Sequence, residues 1–139
     1  MRTQLTEGEE ALQQMAYTAA RRAYCPYSRF AVGAACETDI GCFVGCNIES
    51  ASYGLCCCAE RVALFSAVAQ GAESITRLAV ACTSATQHSL NEKVCCGACR
   101  QVMVELMEKG AEIIIYGVGV FTLDELLPIP FRIELDQIG

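Results

Sequence analysis

Cys58-Ala59-Glu60 stands directly before an apolar run, Val62-Ala63-Leu64-Phe65, that reads as a helix. Downstream, Cys96-Gly97-Ala98-Cys99 stands before a second such run, with Val102, Met103, Leu106 and Met107 at helical spacing. Two helix starts would then deliver three sulfurs and one carboxylate to a single place. Zinc favours tetrahedral coordination by thiolate and imidazole. The partial positive charge at a helix N-terminus favours thiolate over thiol. Cys58, Cys96 and Cys99 as ligands leave a fourth position for water, the pattern of a catalytic zinc. Such an ion lowers the pKa of its water to about 7. Glu60, two residues past Cys58, is expected near the metal but not on it, where it can act as general acid and base.

Three thiolates outweigh the charge of one Zn²⁺ by a unit. Arg61, beside Glu60, is placed to hydrogen-bond the sulfurs and offset that excess. Other readings of the same residues stay open at this stage. A lone C-x-x-C also fits a structural zinc or a redox pair. Cys57 or Cys95 as a fourth sulfur would close the site. Glu60 taken alone fits a solvent-facing helix carboxylate. The combination is more specific: C-A-E followed by C-x-x-C follows the zinc deaminase signature H-x-E…P-C-x-x-C, with Cys58 in place of the His and Cys95 in place of the Pro.

At 139 residues the chain is expected to form one domain, 1–139, large enough for a proper core. Hydrophobic residues make up 53%, a surplus that a small domain can bury between subunits. The net charge of −6 lacks the electrostatic footprint of a nucleic-acid binder. No apolar run approaches the ~20 residues of a membrane span, and the polar MRTQLTEGEE start has no signal-peptide core. Eleven cysteines without a leader point to a reducing cytoplasm, with metal ligands and buried free thiols rather than disulfides. Cys25, Cys36, Cys42, Cys46 and Cys82 fall mostly in apolar segments and read as core.

Along the chain, Thr6 with Glu9 forms a T-x-x-E capping box before a helical pattern that ends near Pro26. Strands are expected over 30–36 and 42–48, joined as a hairpin around Asp39-Ile40-Gly41. The first metal helix should run from about Cys58 to Gln70 and stop at Gly71. Ile75 to Cys82 reads as a buried strand. Thr83 to Glu92 reads as a polar loop, and its His88 as a solvated residue. The second metal helix is expected from Gly97 to Lys109, then a strand over 113–116, a Gly117-Val118-Gly119 turn, a strand stub and a short helix from Thr122. The alternation gives an α/β domain of three layers, α/β/α.

With these residues placed, the chain resembles the small homotetrameric cytidine deaminases over nearly its full length. The resemblance rests on Cys25-Pro26-Tyr27-Ser28-Arg29-Phe30, Val32-Gly33-Ala34-Ala35, Gly45-Cys46-Asn47-Ile48-Glu49, Cys58-Ala59-Glu60-Arg61, Cys96-Gly97-Ala98-Cys99-Arg100-Gln101 and Glu125-Leu126-Leu127-Pro128. It implies a mixed, about five-stranded sheet in the α/β/α fold. It also implies one Zn²⁺ per chain and hydrolytic deamination of cytidine and 2′-deoxycytidine for pyrimidine salvage. In that reading Cys58, Cys96 and Cys99 hold zinc and Glu60 protonates N3 of the ring. Phe30 packs on the base, and Asn47 and Glu49 bind the ribose hydroxyls. Arg61 supports the sulfurs, while Tyr53 and Phe131 reach sites on neighbouring subunits. By residue type alone, Phe30 and Phe131 read as core packing.

The chain departs from the family at Cys95, where a Pro is usual, in a shortened turn between Tyr116 and Val120, and in a short tail after Phe131. A related blasticidin-S deaminase would share the metal pattern, but the Asn47/Glu49 pair favours a nucleoside. A polynucleotide deaminase would need basic surface. A non-catalytic zinc module would leave Glu60 unexplained.

Overall fold

Thr6 opens the first helix as the T-x-x-E spacing predicts: its hydroxyl accepts the Glu9 N–H at 3.3 Å, and the Glu9 carboxylate accepts the Thr6 N–H at 2.9 Å. This computed structural model describes residues 1–85 and 89–135. Helix α1 runs over Glu7–Ala19, and its buried face carries Leu12, Ala16 and Ala19. The strands are β1 (Val32–Thr38), β2 (Gly41–Cys46), β3 (Ile75–Cys82), β4 (Glu112–Ile115) and β5 (Gly119–Thr122). They form one five-stranded sheet in the order β2-β1-β3-β4-β5. Only the β3–β4 pair is parallel, and the crossover between them carries the second metal helix.

Strand alternation sorts the core into two layers. Ala34 and Cys36 of β1, with Ile113 and Ile115 of β4, face the layer made by α2 (Ala59–Ala69) and α4 (Gly97–Leu106). Ala35, Ala79 and Ile114 point the other way, against Leu12 and Ala16 of α1. The helices lie very close to the sheet. A Cβ added at Gly33 would sit 1.9 Å from the Ala16 carbonyl oxygen, and one at Gly45 would sit 2.5 Å from the backbone of Ala59 and of Ala63. Glycine is required at both places because backbone meets backbone.

The outer edge of β5 is covered by the N-terminal residues: Arg2 N–H donates to Val120 O at 2.9 Å and Arg2 O accepts from Val120 N at 2.6 Å. The Arg2 guanidinium grips the Glu9 carboxylate with two bonds of 2.7 and 2.8 Å and reaches Glu112 at 2.7 Å. Glu9 is buried, and Arg2 above all holds its carboxyl down at about 2.

Most expected elements are present with shifted ends. The first hairpin starts and stops two residues away from its apolar runs, and α4 ends at Leu106 rather than Lys109. The loop after β3 is not wholly irregular. Ser89 and Glu92 form a capping box over a one-turn helix, α3 (Leu90–Lys93), a start that the S-x-x-E spacing marks inside the stretch expected to be a loop. His88 lies outside the described residues. The last helix, α5 (Leu123–Leu126), is capped by Thr122 and Glu125. Beyond it, Ile129, Phe131, Ile133 and Leu135 are all exposed in the single chain. Among the described residues no helix is long and apolar enough to cross a membrane.

Candidate functional site

Cys58 and Cys96 occupy equivalent places in the fold, each the N-cap of a helix packed on the same sheet face, with extended backbone at φ −70°, ψ 153° and φ −66°, ψ 165°. Cys99 follows one turn into α4, and its N–H donates to Cys96 Sγ at 3.4 Å. The three sulfurs lie within 4.8 Å of one another, the one such cluster among the described residues. Cys58 Sγ and Cys96 Sγ are 3.8 Å apart. Two sulfurs bound tetrahedrally to one zinc at about 2.3 Å would be separated by about 3.8 Å, so the spacing suits that ion. Cys57 and Cys95 are not part of the cluster, which leaves a three-sulfur set.

Arg61 supports the set from behind. Its Nη2 donates to Cys58 Sγ at 3.4 Å, and its Nε is buried without a partner. Hydrogen bonds from Cys99, Arg61 and Cys96 favour the Cys58 thiolate and bring its pKa down to about 5 against the pull of burial. Cys99 moves the opposite way, raised as the donor to Cys58 and by burial. The donor chemistry therefore fits a thiophilic divalent cation.

Glu60 is only 4% exposed, so it is not the surface carboxylate that its position near a helix start also allowed. Burial first, and the neighbouring Cys58 thiolate after it, push its pKa up. A carboxyl raised in this way holds and returns a proton nearer neutral pH. It lines a pocket of about 400 Å³ together with Cys58 and Cys96, beneath Phe30, Asn47 and Glu49.

The polar residues at the pocket entrance are held by the backbone around them. Asn47 Oδ1 accepts the Val32 N–H at 2.8 Å, and its Nδ2 donates to the Phe30 carbonyl at 2.7 Å. Its amide thus fixes the segment that carries Phe30. Glu49 accepts the N–H groups of Tyr27 and Ser28, both at 3.1 Å, and the Ser28 hydroxyl. These donors hold its carboxyl below the usual range, led by Ser28. Phe30 is half-buried on the pocket wall and Phe131 is 69% exposed, so neither is core packing. Tyr53, 75% exposed, lies edge-on to Tyr27 beside a smaller recess that shares Ser28 and Glu49 with the main pocket. Phe131 and Tyr53 do not line the main pocket of their own chain.

Several cysteines depart from expectation. Of the five read as core, only Cys36 is fully buried. Cys42 is exposed and Cys46 half-buried because β2 is an edge strand, and Cys25 is half-buried in the segment between the first helix and β1. Cys82 ends β3 inside the pocket, where burial and Glu60 push its pKa up to about 12. Ser28, Cys82, Glu92 and Val94 are lining residues that were not singled out from the sequence. Ser28 had a signal, since it sits in the Pro26-Tyr27-Ser28 turn ahead of Phe30. Glu92 had one too, the Ser89-x-x-Glu92 capping-box spacing that marks the α3 turn bringing it to the pocket.

A buried carboxylate beside three convergent sulfurs, under a three-layer α/β sheet, defines a metal-dependent hydrolytic enzyme. Comparison with known proteins specifies which. The family model for the cytidine and deoxycytidylate deaminase zinc-binding region matches residues 6–116. Cytidine deaminase from Halalkalibacterium halodurans is 41% identical over 130 residues, covering 90% of this chain and 95% of that protein. Cytidine deaminase from Mycobacterium tuberculosis is 42% identical over 125 residues, covering 88% and 89%. A crystal structure of cytidine deaminase from Burkholderia pseudomallei aligns with a TM-score of 0.79 at 45% identity, over 91% of this chain and all of the other. The chain belongs to the cytidine deaminase family and contains its zinc-binding region.

Proposed function

We propose that this chain hydrolyses cytidine and 2′-deoxycytidine to uridine and 2′-deoxyuridine with release of ammonia, as a cytoplasmic homotetramer serving pyrimidine salvage. The observation that carries the reading is Glu60, buried with a raised pKa next to Cys58, Cys96 and Cys99 on the wall of a nucleoside-sized pocket. Cys58, Cys96 and Cys99 would hold zinc, which supplies the Lewis acidity that makes water nucleophilic near neutral pH. Glu60 takes a proton from that water and delivers one to N3 of the ring. The water oxygen bonds to C4; Glu60 then takes the proton of that new hydroxyl and passes it to the amino group, and the C4–N bond breaks to release ammonia.

Phe30 presents its ring to the base, and Asn47 holds Phe30 in place while its remaining donor and acceptor capacity serves the sugar. Glu49 accepts from a sugar hydroxyl on the lone pairs that Ser28 and Tyr27 leave open. Glu49, Glu60 and Glu92 all line the pocket, and three carboxylates there disfavour a phosphorylated substrate. Arg61 keeps Cys58 ionised. Tyr53 and Phe131, exposed on one chain, complete the sites of neighbouring subunits.

The test is purified protein with cytidine and 2′-deoxycytidine, followed by the fall in ultraviolet absorbance as uridine forms, with metal analysis alongside. One zinc per chain and turnover of both nucleosides are expected. Turnover of blasticidin S in their place would overturn the substrate assignment alone. Loss of zinc with retained turnover would overturn the metal assignment.

A further inference from the structure

We propose that Arg100 is a positioning residue that holds the zinc ligand Cys96 in place by tying the loop in front of it to the end of α5. The proposal rests on the zinc site described above. The three sulfur-bearing residues are not equally secured. Cys99 is fully buried and Cys58 half-buried with Arg61 bonded to its sulfur, while Cys96 is exposed. Cys96 also stands at the junction between an irregular segment and α4.

Arg100 is bonded on both sides of that junction. Its backbone N–H donates to Cys96 O at 3.0 Å, the first turn of the helix. Its side chain folds back, and Nε donates to Cys95 O at 2.8 Å. The same guanidinium sends Nη1 to Leu126 O, the last residue of α5, at 2.7 Å. Leu123 and Leu126 of α5 are buried in the cluster that also holds Cys95, Cys99 and Met103. The anchor is therefore core, not surface. A guanidinium is a rigid planar fork, so two of its donors fixed on two carbonyls leave the peptide at Cys95 little freedom. Gln101 continues the tie along the tail, its Nε2 donating to Phe131 O at 2.8 Å, and among the described residues no hydrogen bond joins its side chain to the loop before Cys96.

Loss of a three-sulfur metal begins with one sulfur swinging away, and Cys96 is the ligand with the least burial around it. Removing Arg100 should ease that step, whereas removing Gln101 should free only the tail. The zinc-loaded protein, wild type and variants, is mixed with excess of a chromophoric chelator and the zinc release rate is followed. The thiolate-to-cobalt absorption band of the cobalt-loaded protein is recorded in parallel.

Arg100→Ala should release zinc on the order of 10-fold faster or more and alter the cobalt band. Arg100→Lys, able to reach one carbonyl but not both, should fall between. Gln101→Ala should stay within about twofold of wild type, as expected of a group with no contact to the metal loop. Release at the wild-type rate from Arg100→Ala overturns the proposal, and if that variant does not fold, release at the wild-type rate from Arg100→Lys overturns it. Equal acceleration by Gln101→Ala also overturns it, since the effect would then be a general loosening of α4. Wild-type protein that takes up neither zinc nor cobalt refutes the zinc site itself, a separate outcome.

Discussion

In the inner part of the pocket, Glu60 is buried and the sulfurs of Cys58 and Cys96 hang from two helix N-caps packed on one sheet face. At the periphery, Tyr53 rides on a single 3₁₀ turn and Phe131 on an irregular tail, both largely exposed. The inner groups are held by regular elements and by each other. The peripheral groups have lighter ties, Gln101 to Phe131 O and the edge of Tyr27 against Tyr53, and their rings stay largely exposed. The groups proposed for the chemistry thus come together within one chain, while the two peripheral rings stand largely exposed on it.

The sharpest break in that comparison would come from Glu60→Gln. It should lower kcat about 10²–10⁴-fold while the purified protein keeps its zinc, because in the proposed reaction the residue moves protons and does not ligate. A Glu60→Gln protein that deaminates at the wild-type rate removes the inner carboxylate from the reaction. Next in size, Arg61→Ala should weaken zinc binding roughly 10–100-fold, read by titration against a competing chelator. The physical cause is loss of the donor that helps to ionise Cys58.

The periphery should respond more mildly and in a different parameter. Tyr53→Ala and Phe131→Ala should each raise KM on the order of 10-fold, the worth of one lost aromatic contact, with zinc content unchanged. A collapse of kcat at constant KM in either variant would dissolve the distinction between the two zones.

Two stability measurements complete the series, one at Glu9, away from the pocket, and one at Cys95, beside it. The folded pKa of Glu9 is about 2 against an ordinary 4.5. A depressed carboxyl contributes its full stabilisation above the unfolded value and loses it as pH falls through the folded one. Wild type should therefore melt above Glu9→Gln near neutrality, and the gap should close between pH 4.5 and 2. A gap that persists at the acid end would mean that the charge is not the cause.

The smallest effect is expected at Cys95→Pro. Val94 already has the extended backbone that a following proline demands, at φ −76°, ψ 158°, and no backbone bond from Cys95 N is seen among the described residues. The Cys95 carbonyl that Arg100 uses is retained. A gain of about 0.4–1 kcal/mol is expected from denaturant unfolding. A loss would show that the buried thiol packs better than the ring.

Much of the inner zone was legible because its signals are local. A T-x-x-E box, two helix starts with cysteine at the cap, and Gly71 with positive φ directly after the α2 cap each speak within a few residues. The sheet was legible in outline for the same reason, with Ile75–Cys82 an uninterrupted strand. What failed depends on position in space. Cys42 and Cys82 look alike as apolar-segment thiols, yet one lies on the edge strand and the other in the pocket. The same holds for Glu92, brought to the pocket by a helix of one turn. The Arg100 tie links residues 26 apart in sequence and has no periodicity that could announce it.

The seam where Gly45 meets Ala59 and Ala63 has a further consequence. In most of a protein interior, a bulkier side chain can be absorbed by neighbours that rotate. Here the neighbours are main-chain atoms, which cannot step aside. Any added methyl must lift the whole of α2, and Glu60 rides on its first turn. In a library of random variants this strip should tolerate almost nothing, even though none of its three residues carries a side chain able to ligate metal or move a proton.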